Sequence, residues 1–262
     1  MSESNPYQPP SASTVPVLSA STTDTFLPSG RAVDAGRGWE WIAAGFALFK
    51  KQPGTWILAL IVFIACSALL HIVPVIGTLA SMLLMQVFVA GLMLGCRALD
   101  RGGEFEVGSV FAGFKQNTGD LVVLGVLALV GYIVIFIPAI GIIGGGAVMS
   151  MLLGGSHPAS IGTLGVSFLL AMLTVLALAV PLYMALFFAP SLIVFHDLKP
   201  VDAMKASFFG CLKNIVPFLV YGVILAVLGV LAAIPLGLGF LVLGPVAIAS
   251  IYTSYRDIFT AA

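Results

Sequence analysis

The sequence predicts an all-α fold: a polytopic integral membrane helical bundle of six transmembrane helices. The helices form three tandem hairpin repeats, each preceded by a short amphipathic interfacial helix. Three observations carry this. Composition is the first: 60% of the 262 residues are apolar and 8% are charged. A soluble domain carries about 25% charged residues, so a soluble fold could not hide this much apolar surface. The second is a recurring stretch, Phe46-Ala-Leu-Phe-Lys-Lys-Gln-Pro-Gly54, which returns as Phe111-Ala-Gly-Phe-Lys-Gln-Asn-Thr-Gly119 and, more loosely, as Phe209-Gly-Cys-Leu-Lys-Asn214. Each copy opens an apolar run that meets a proline: Lys50 to Pro74, Lys115 to Pro138 and Lys213 to Pro235 are 24, 23 and 22 residues. A basic residue, about twenty apolar residues and a Pro/Gly turn describe one membrane crossing.

The charge map is the third observation. Every Lys, Arg, Asp and Glu lies in the N-terminal segment, in the two even-numbered connections or at the C-terminus. The connections at 74–77, 138–165 and 235–239 carry no such residue, only His157. Under the positive-inside rule this gives six spans with both termini cytoplasmic. Tandem hairpins require the same even number, and parallel repeats of this kind are related by an axis along the membrane normal.

Taken in order, residues 1–36 are rich in Ser, Thr and Pro and read as a disordered cytoplasmic tail, with no basic-then-apolar secretory signal. Residues 37–260 form the membrane domain, with hairpin repeats at about 39–100, 105–198 and 200–257. Trp39, Ile42, Phe46 and Phe49 fall on one helical face, as do Val107, Val110, Phe111 and Phe114 and then Val201, Met204, Phe208 and Leu212. Such short helices suit the interface plane or the flank of the bundle. The spans are expected at about 54–73, 77–96, 120–137, 166–195, 215–234 and 239–252. Gly91-x-x-x-Gly95 allows a close backbone approach in the second. In the middle hairpin, Pro138 and Gly141-Ile-Ile-Gly-Gly-Gly146 are expected to interrupt span three. They leave residues 147–153 as a short re-entrant or surface-lying piece against the outer ends of spans three and four. Pro181 and Pro190 make the long fourth span tilt, kink or project.

Little in the chain points to chemistry. No span has an acidic or basic residue near its centre, which argues against a proton relay or ion-coupled transport. Gln86 is the most deeply placed strong polar group and reads as an interhelical hydrogen bond rather than a substrate contact. His71, near the outer interface, reads as structural. His157 and His196 lie on opposite sides, and His196 and Asp197 are sequence neighbours that do not face each other on a helix. Cys66, Cys96 and Cys211 lack metal-ligand spacing. No catalytic, cofactor-binding or metal site is expected. The zero net charge gives no bulk electrostatic case for nucleic acid or for an anionic membrane surface, and no nucleic-acid partner is expected.

Gly38-Trp-Glu-Trp41 with Gly45 and Phe49, residues 53–56, and the closing Tyr255-Arg-Asp-Ile-Phe259 resemble a family of uncharacterised bacterial multi-pass inner-membrane proteins. The likeness covers about residues 36–260 and implies a bacterial inner-membrane location and a six-span fold, without catalytic residues. Two functional classes stay open. One is a non-enzymatic membrane component binding partners or lipid, whether other membrane proteins or a second copy. The alternative is a small-solute permease or channel with a pathway at the repeat interfaces.

Overall fold

The computed structural model describes residues 25–152 and 158–261. Helix α1 (Arg37–Lys51) has Glu40 in its first turn and Lys50 and Lys51 in its last, complementing the helix dipole. Next come α2 (Pro53–Leu70), α3 (Ile76–Asp100) and a 3₁₀ helix, Val107–Phe114. The middle of the chain forms α4 (Thr118–Leu152), α5 (Pro158–Phe187) and α6 (Ala189–His196). The chain closes with α7 (Pro200–Lys213), α8 (Ile215–Ala233) and α9 (Phe240–Phe259). A two-residue strand at each end, β1 (Thr25–Phe26) and β2 (Thr260–Ala261), pairs antiparallel, Thr25 opposite Ala261.

Among the described residues, five stretches are long and apolar enough to cross a membrane: Pro53–Leu70, Ile76–Asp100, Thr118–Leu152, Gly162–His196 and Ile215–Ala233. Large apolar side chains such as Leu58, Ile64, Val134, Phe168, Leu219 and Val223 cover their outer faces. The protein is an all-α helical membrane protein. The expected sixth span, 239–252, coincides with the N-cap and first turns of α9, which is not among the five and whose Val246, Ala249, Ser250, Tyr252 and Tyr255 are buried in a helix packed on α1, α2, α3 and α8.

The short helices pack through a face rotated from the expected one. In α1 the buried residues are Gly38, Trp41, Ile42, Gly45, Leu48 and Phe49, while Trp39 and Phe46 point outward. In the 3₁₀ helix Val110 and Gly113 are buried, and Phe111 and Phe114 are not. In α7 the buried set is Pro200, Ala203, Ser207, Gly210 and Cys211, with Val201 and Leu212 exposed. The reason is the solvent. Lipid does not drive every large apolar side chain inward, so the packed face is set by the small residues that let backbones approach. A Cβ at Gly45 would stand 2.8 Å from the Ser250 backbone N, and one at Gly91 would stand 2.5 Å from the Ser109 carbonyl O. The Gly91-x-x-x-Gly95 pair therefore receives the 3₁₀ helix rather than another span.

The middle hairpin also departs from expectation. Pro138 and the glycine run do not interrupt the helix, and α4 continues for 35 residues through Leu152. Residues 147–152 are its last turns, not a separate piece, and residue 153 lies outside the described residues. Packing against α5 along its length supports α4 through this stretch. Gly146 is also a packing site, since a Cβ there would stand 2.0 Å from Ser167 Oγ on α5. At 1.5 Å per residue α4 is about 52 Å long, well beyond the roughly 30 Å hydrocarbon core.

The fourth apolar stretch does break, at Phe188, two residues before Pro190. In an unbroken helix the Phe188 N–H would bond to the Met184 carbonyl. Here the Ser207 hydroxyl of α7 enters that gap: it accepts from the Phe188 N–H at 2.9 Å and donates to the Met184 carbonyl at 2.6 Å. Proline opens the ladder and an inserted side chain refills it.

Candidate functional site

The polar chemistry gathers where α1 begins and α3, α6 and α9 end. Residues 25–36, expected within the disordered tail, are bound there, whereas residues 1–24 lie outside the described residues. The Leu27 N–H donates to the Phe259 carbonyl and the Arg31 N–H to the Ile258 carbonyl, both at 2.8 Å. Asn214, fully buried, accepts from the Val33 N–H at 2.8 Å and donates to the Arg31 carbonyl at 2.9 Å. Lys213 Nζ donates to the Ser29 carbonyl at 2.7 Å. These bonds satisfy backbone groups that a free tail would leave to water.

Asp257 anchors the arrangement. Its Oδ1 accepts from Arg31 Nη2 at 2.7 Å; its Oδ2 accepts from Arg37 Nε at 2.7 Å and from Trp41 Nε1 at 2.8 Å. Burial alone would push this carboxyl up, yet the hydrogen bonds from Arg37, Trp41 and Arg31 hold it below the usual carboxylate range. The same contact, foremost the hydrogen bond to Asp257, raises Arg37. Asp100 at the end of α3 plays the matching part: it pairs with Arg256 and accepts from the Tyr252 hydroxyl at 3.0 Å. Lys51 Nζ caps the same helix end, donating to the Leu99 carbonyl at 3.2 Å. Both carboxylates stand in C-terminal helix turns, where the dipole disfavours negative charge. That misplacement is the one sequence signal that could have announced cationic partners. The partners themselves are over 150 residues away in sequence and carry no local mark.

Three hollows flank this framework. A recess of about 560 Å³ is lined by both signs of charge, including Arg31, Arg37, Lys51, Asp100, Arg256 and Asp257. A neighbouring cleft of about 250 Å³ lies between the ends of α3, α6 and α9, with Arg97, Arg101, His196, Tyr252, Tyr255 and Arg256 on its walls. An apolar groove of about 530 Å³ runs between α5, α7 and α8 past Met184, Phe187, Phe218 and Tyr221.

The residues singled out in the sequence are not brought together. Gln86 sits half-buried on α3 and bonds to no other described residue, so the interhelical hydrogen bond expected of it is not made among them. The bond inside the bundle is instead made by Tyr221, whose hydroxyl donates to Ser250 Oγ at 2.7 Å while Ser250 donates to the Ala247 carbonyl. His71 Nδ1–H donates to the Ser67 carbonyl at 2.7 Å, closing its own helix end. His157 lies outside the described residues. His196 stacks on Phe26 at 3.7 Å and bonds to the Tyr255 hydroxyl, while Asp197 accepts from Asn117. Cys66, Cys96 and Cys211 are separate thiols on α2, α3 and α7. Among the described residues no group of three or more His, Cys, Asp or Glu could hold a metal ion.

Apolar helices sheathed in large aliphatic side chains, closed at one end by a cross-braced charged face, define a helical integral membrane protein. The chain is 30% identical over 251 residues to a probable inner membrane protein of Burkholderia thailandensis, a match covering 87% of this chain and 92% of the relative. It belongs to that protein's family, a family of bacterial inner-membrane proteins. No family model and no solved structure matches it.

Proposed function

We propose that the protein is a non-enzymatic inner-membrane component that binds lipid or protein partners. In this reading it has six spans in three tandem hairpins, both termini are cytoplasmic, and the charged face lies at the cytoplasmic surface. The observation that carries this is how the acids of that face are used. Asp257 and Asp100, the carboxylates with the least exposure there, are both consumed in bracing one chain segment against another. A general base or nucleophile has to be free to meet its substrate. The order of one short helix followed by two longer ones, seen at α1 to α3 and again at α7 to α9, supports the tandem-hairpin reading. In the middle repeat a 3₁₀ helix takes the place of the short α-helix, and α6 extends the second long member.

Reporter fusions test the topology. Fusions after Asp100, Lys199 and Ala262 are expected to read cytoplasmic, and one at His157 external. A cytoplasmic signal at His157 would overturn the six-span arrangement. Solute uptake by proteoliposomes, at unchanged stability of the protein, would replace the binding reading with the permease one.

A further inference from the structure

The cleft between the ends of α3, α6 and α9 differs in kind from the recess beside it. Three guanidinium groups line it, from Arg97, Arg101 and Arg256, and among the described residues no carboxylate does. Arg97 lies over the Phe195 ring, 4.3 Å from its centroid, which holds its planar group against the wall. Arg256 is fixed from behind by its pairing with Asp100. Arg97 and Arg101 form no ion pair among the described residues. Arg97 in the last turn of α3 and Arg101, its C-cap, stand four residues apart, a spacing at which like charges repel.

Each arginine has an ordinary explanation taken alone. A cation at a helix C-terminus is favoured by the dipole, and basic residues gather on the cytoplasmic side of membrane proteins. Neither explanation places three of them on the walls of one concavity, two of them a like-charged pair with no ion-pair partner among the described residues. A bound anion removes the repulsion, and a planar guanidinium offers paired N–H donors matched to phosphate oxygens. The cleft, at about 250 Å³, is below the usual 300–1,000 Å³ of small-molecule pockets, so it takes a phosphate group with a small substituent rather than a nucleotide.

We infer that the cleft formed by Arg97, Arg101 and Arg256 binds a phosphate group, carried either by an anionic lipid headgroup or by a small soluble phosphate. This rests on the reading of the charged face as a binding surface, and names its ligand chemistry.

The test uses the full chain purified in non-ionic detergent. Calorimetric titration with inorganic phosphate forms one arm. The other is reconstitution in phosphatidylcholine discs with or without phosphatidic acid, followed by native mass spectrometry of retained lipid. Arg101→Gln is exposed and removes one guanidinium without touching the Asp257 or Asp100 braces. Lys115→Gln makes the same charge change on the same face, outside the cleft. Saturable binding of phosphate, or one-to-one retention of phosphatidic acid, is expected. Arg101→Gln should weaken it about tenfold, the scale of one charge-assisted hydrogen bond, while Lys115→Gln leaves it unchanged. Phosphate bound in detergent identifies a soluble ligand; retention of phosphatidic acid alone identifies a lipid headgroup. No binding in either arm overturns the inference, as does an equal loss in Lys115→Gln, which would show only surface charge attraction. The topology fusions are independent of both arms, so a failed titration beside intact topology removes this inference alone.

Discussion

Ser207→Ala probes the break at Phe188, where a single hydroxyl carries the helix ladder across a gap. The site is fully buried, so the two partners it leaves, the Phe188 N–H and the Met184 carbonyl, cannot turn to water. An unsatisfied buried polar group costs about 1–3 kcal/mol. The carbonyl keeps a weak contact with Cys211 Sγ at 3.6 Å, which lessens its share. Side-chain hydrogen bonds within membranes average about 0.6 kcal/mol, which sets the lower bound. The expected loss is about 2 kcal/mol, read as reversible unfolding of the purified protein in mixed micelles of increasing SDS fraction. The background matters. Pro190→Ala restores an N–H and removes the ring clash, so the helix can close straight through and the Phe188 N–H can bond to Met184 unaided. In that background Ser207→Ala should cost under about 0.5 kcal/mol, a coupling that a double-mutant cycle isolates. Equal costs in the two backgrounds would refute the account of the hydroxyl as a bridge across a proline-made gap.

Asp257→Asn keeps the shape but removes the charge that Arg31, Arg37 and Trp41 share. Because the arginine side chains are 48% and 40% exposed, solvent screening limits the loss to about 1–2 kcal/mol in the same unfolding assay. The folded carboxyl is depressed, so its contribution is present above the unfolded value of about 3.9 and is lost as pH falls through the folded value. Stability should be flat across neutral pH and fall below about pH 4, and Asp257→Asn should flatten that acid limb; an unchanged limb would assign it to other groups. Gln86→Leu should leave insertion intact and change stability by less than about 0.5 kcal/mol, since its amide has no partner among the described residues. A loss above about 1 kcal/mol would reveal a partner beyond the described residues, such as a second copy.

The membrane character was legible because it depends on composition and on where charge is absent, and both survive without knowledge of contacts. The inner structure was not, for two physical reasons. Periodicity rules assume that large apolar side chains turn inward, which holds in water. In this bundle Trp39 and Phe46 face out, and the face that is buried in α1 is the one on which Gly38 and Gly45 allow close approach beside Trp41, Ile42, Leu48 and Phe49. Breaker rules weigh local propensity and leave out the packing of α4 along α5. Gly144 to Gly146 and Pro138 therefore looked like the end of a helix that in fact runs on to Leu152. Of the charged face, Gly38 to Trp41 and Tyr255 to Phe259 were already conspicuous as family-like motifs. That Trp41 donates to Asp257, across 216 residues, could not be read from either motif alone.

That long-range clasp has a consequence for how the chain is made. Helix α1 takes its buried neighbours from α8 and α9, and Arg37 and Trp41 wait for a carboxylate 220 and 216 residues further on. At about 5–20 residues per second of synthesis, the delay is on the order of ten to forty seconds. During that interval α1 must rest somewhere, and Trp39, Phe46, Lys50 and Lys51 give it a surface suited to the membrane interface. The first described helix thus cannot complete its packing until α9 has been made, and its outward aromatic face offers it a berth in the meantime.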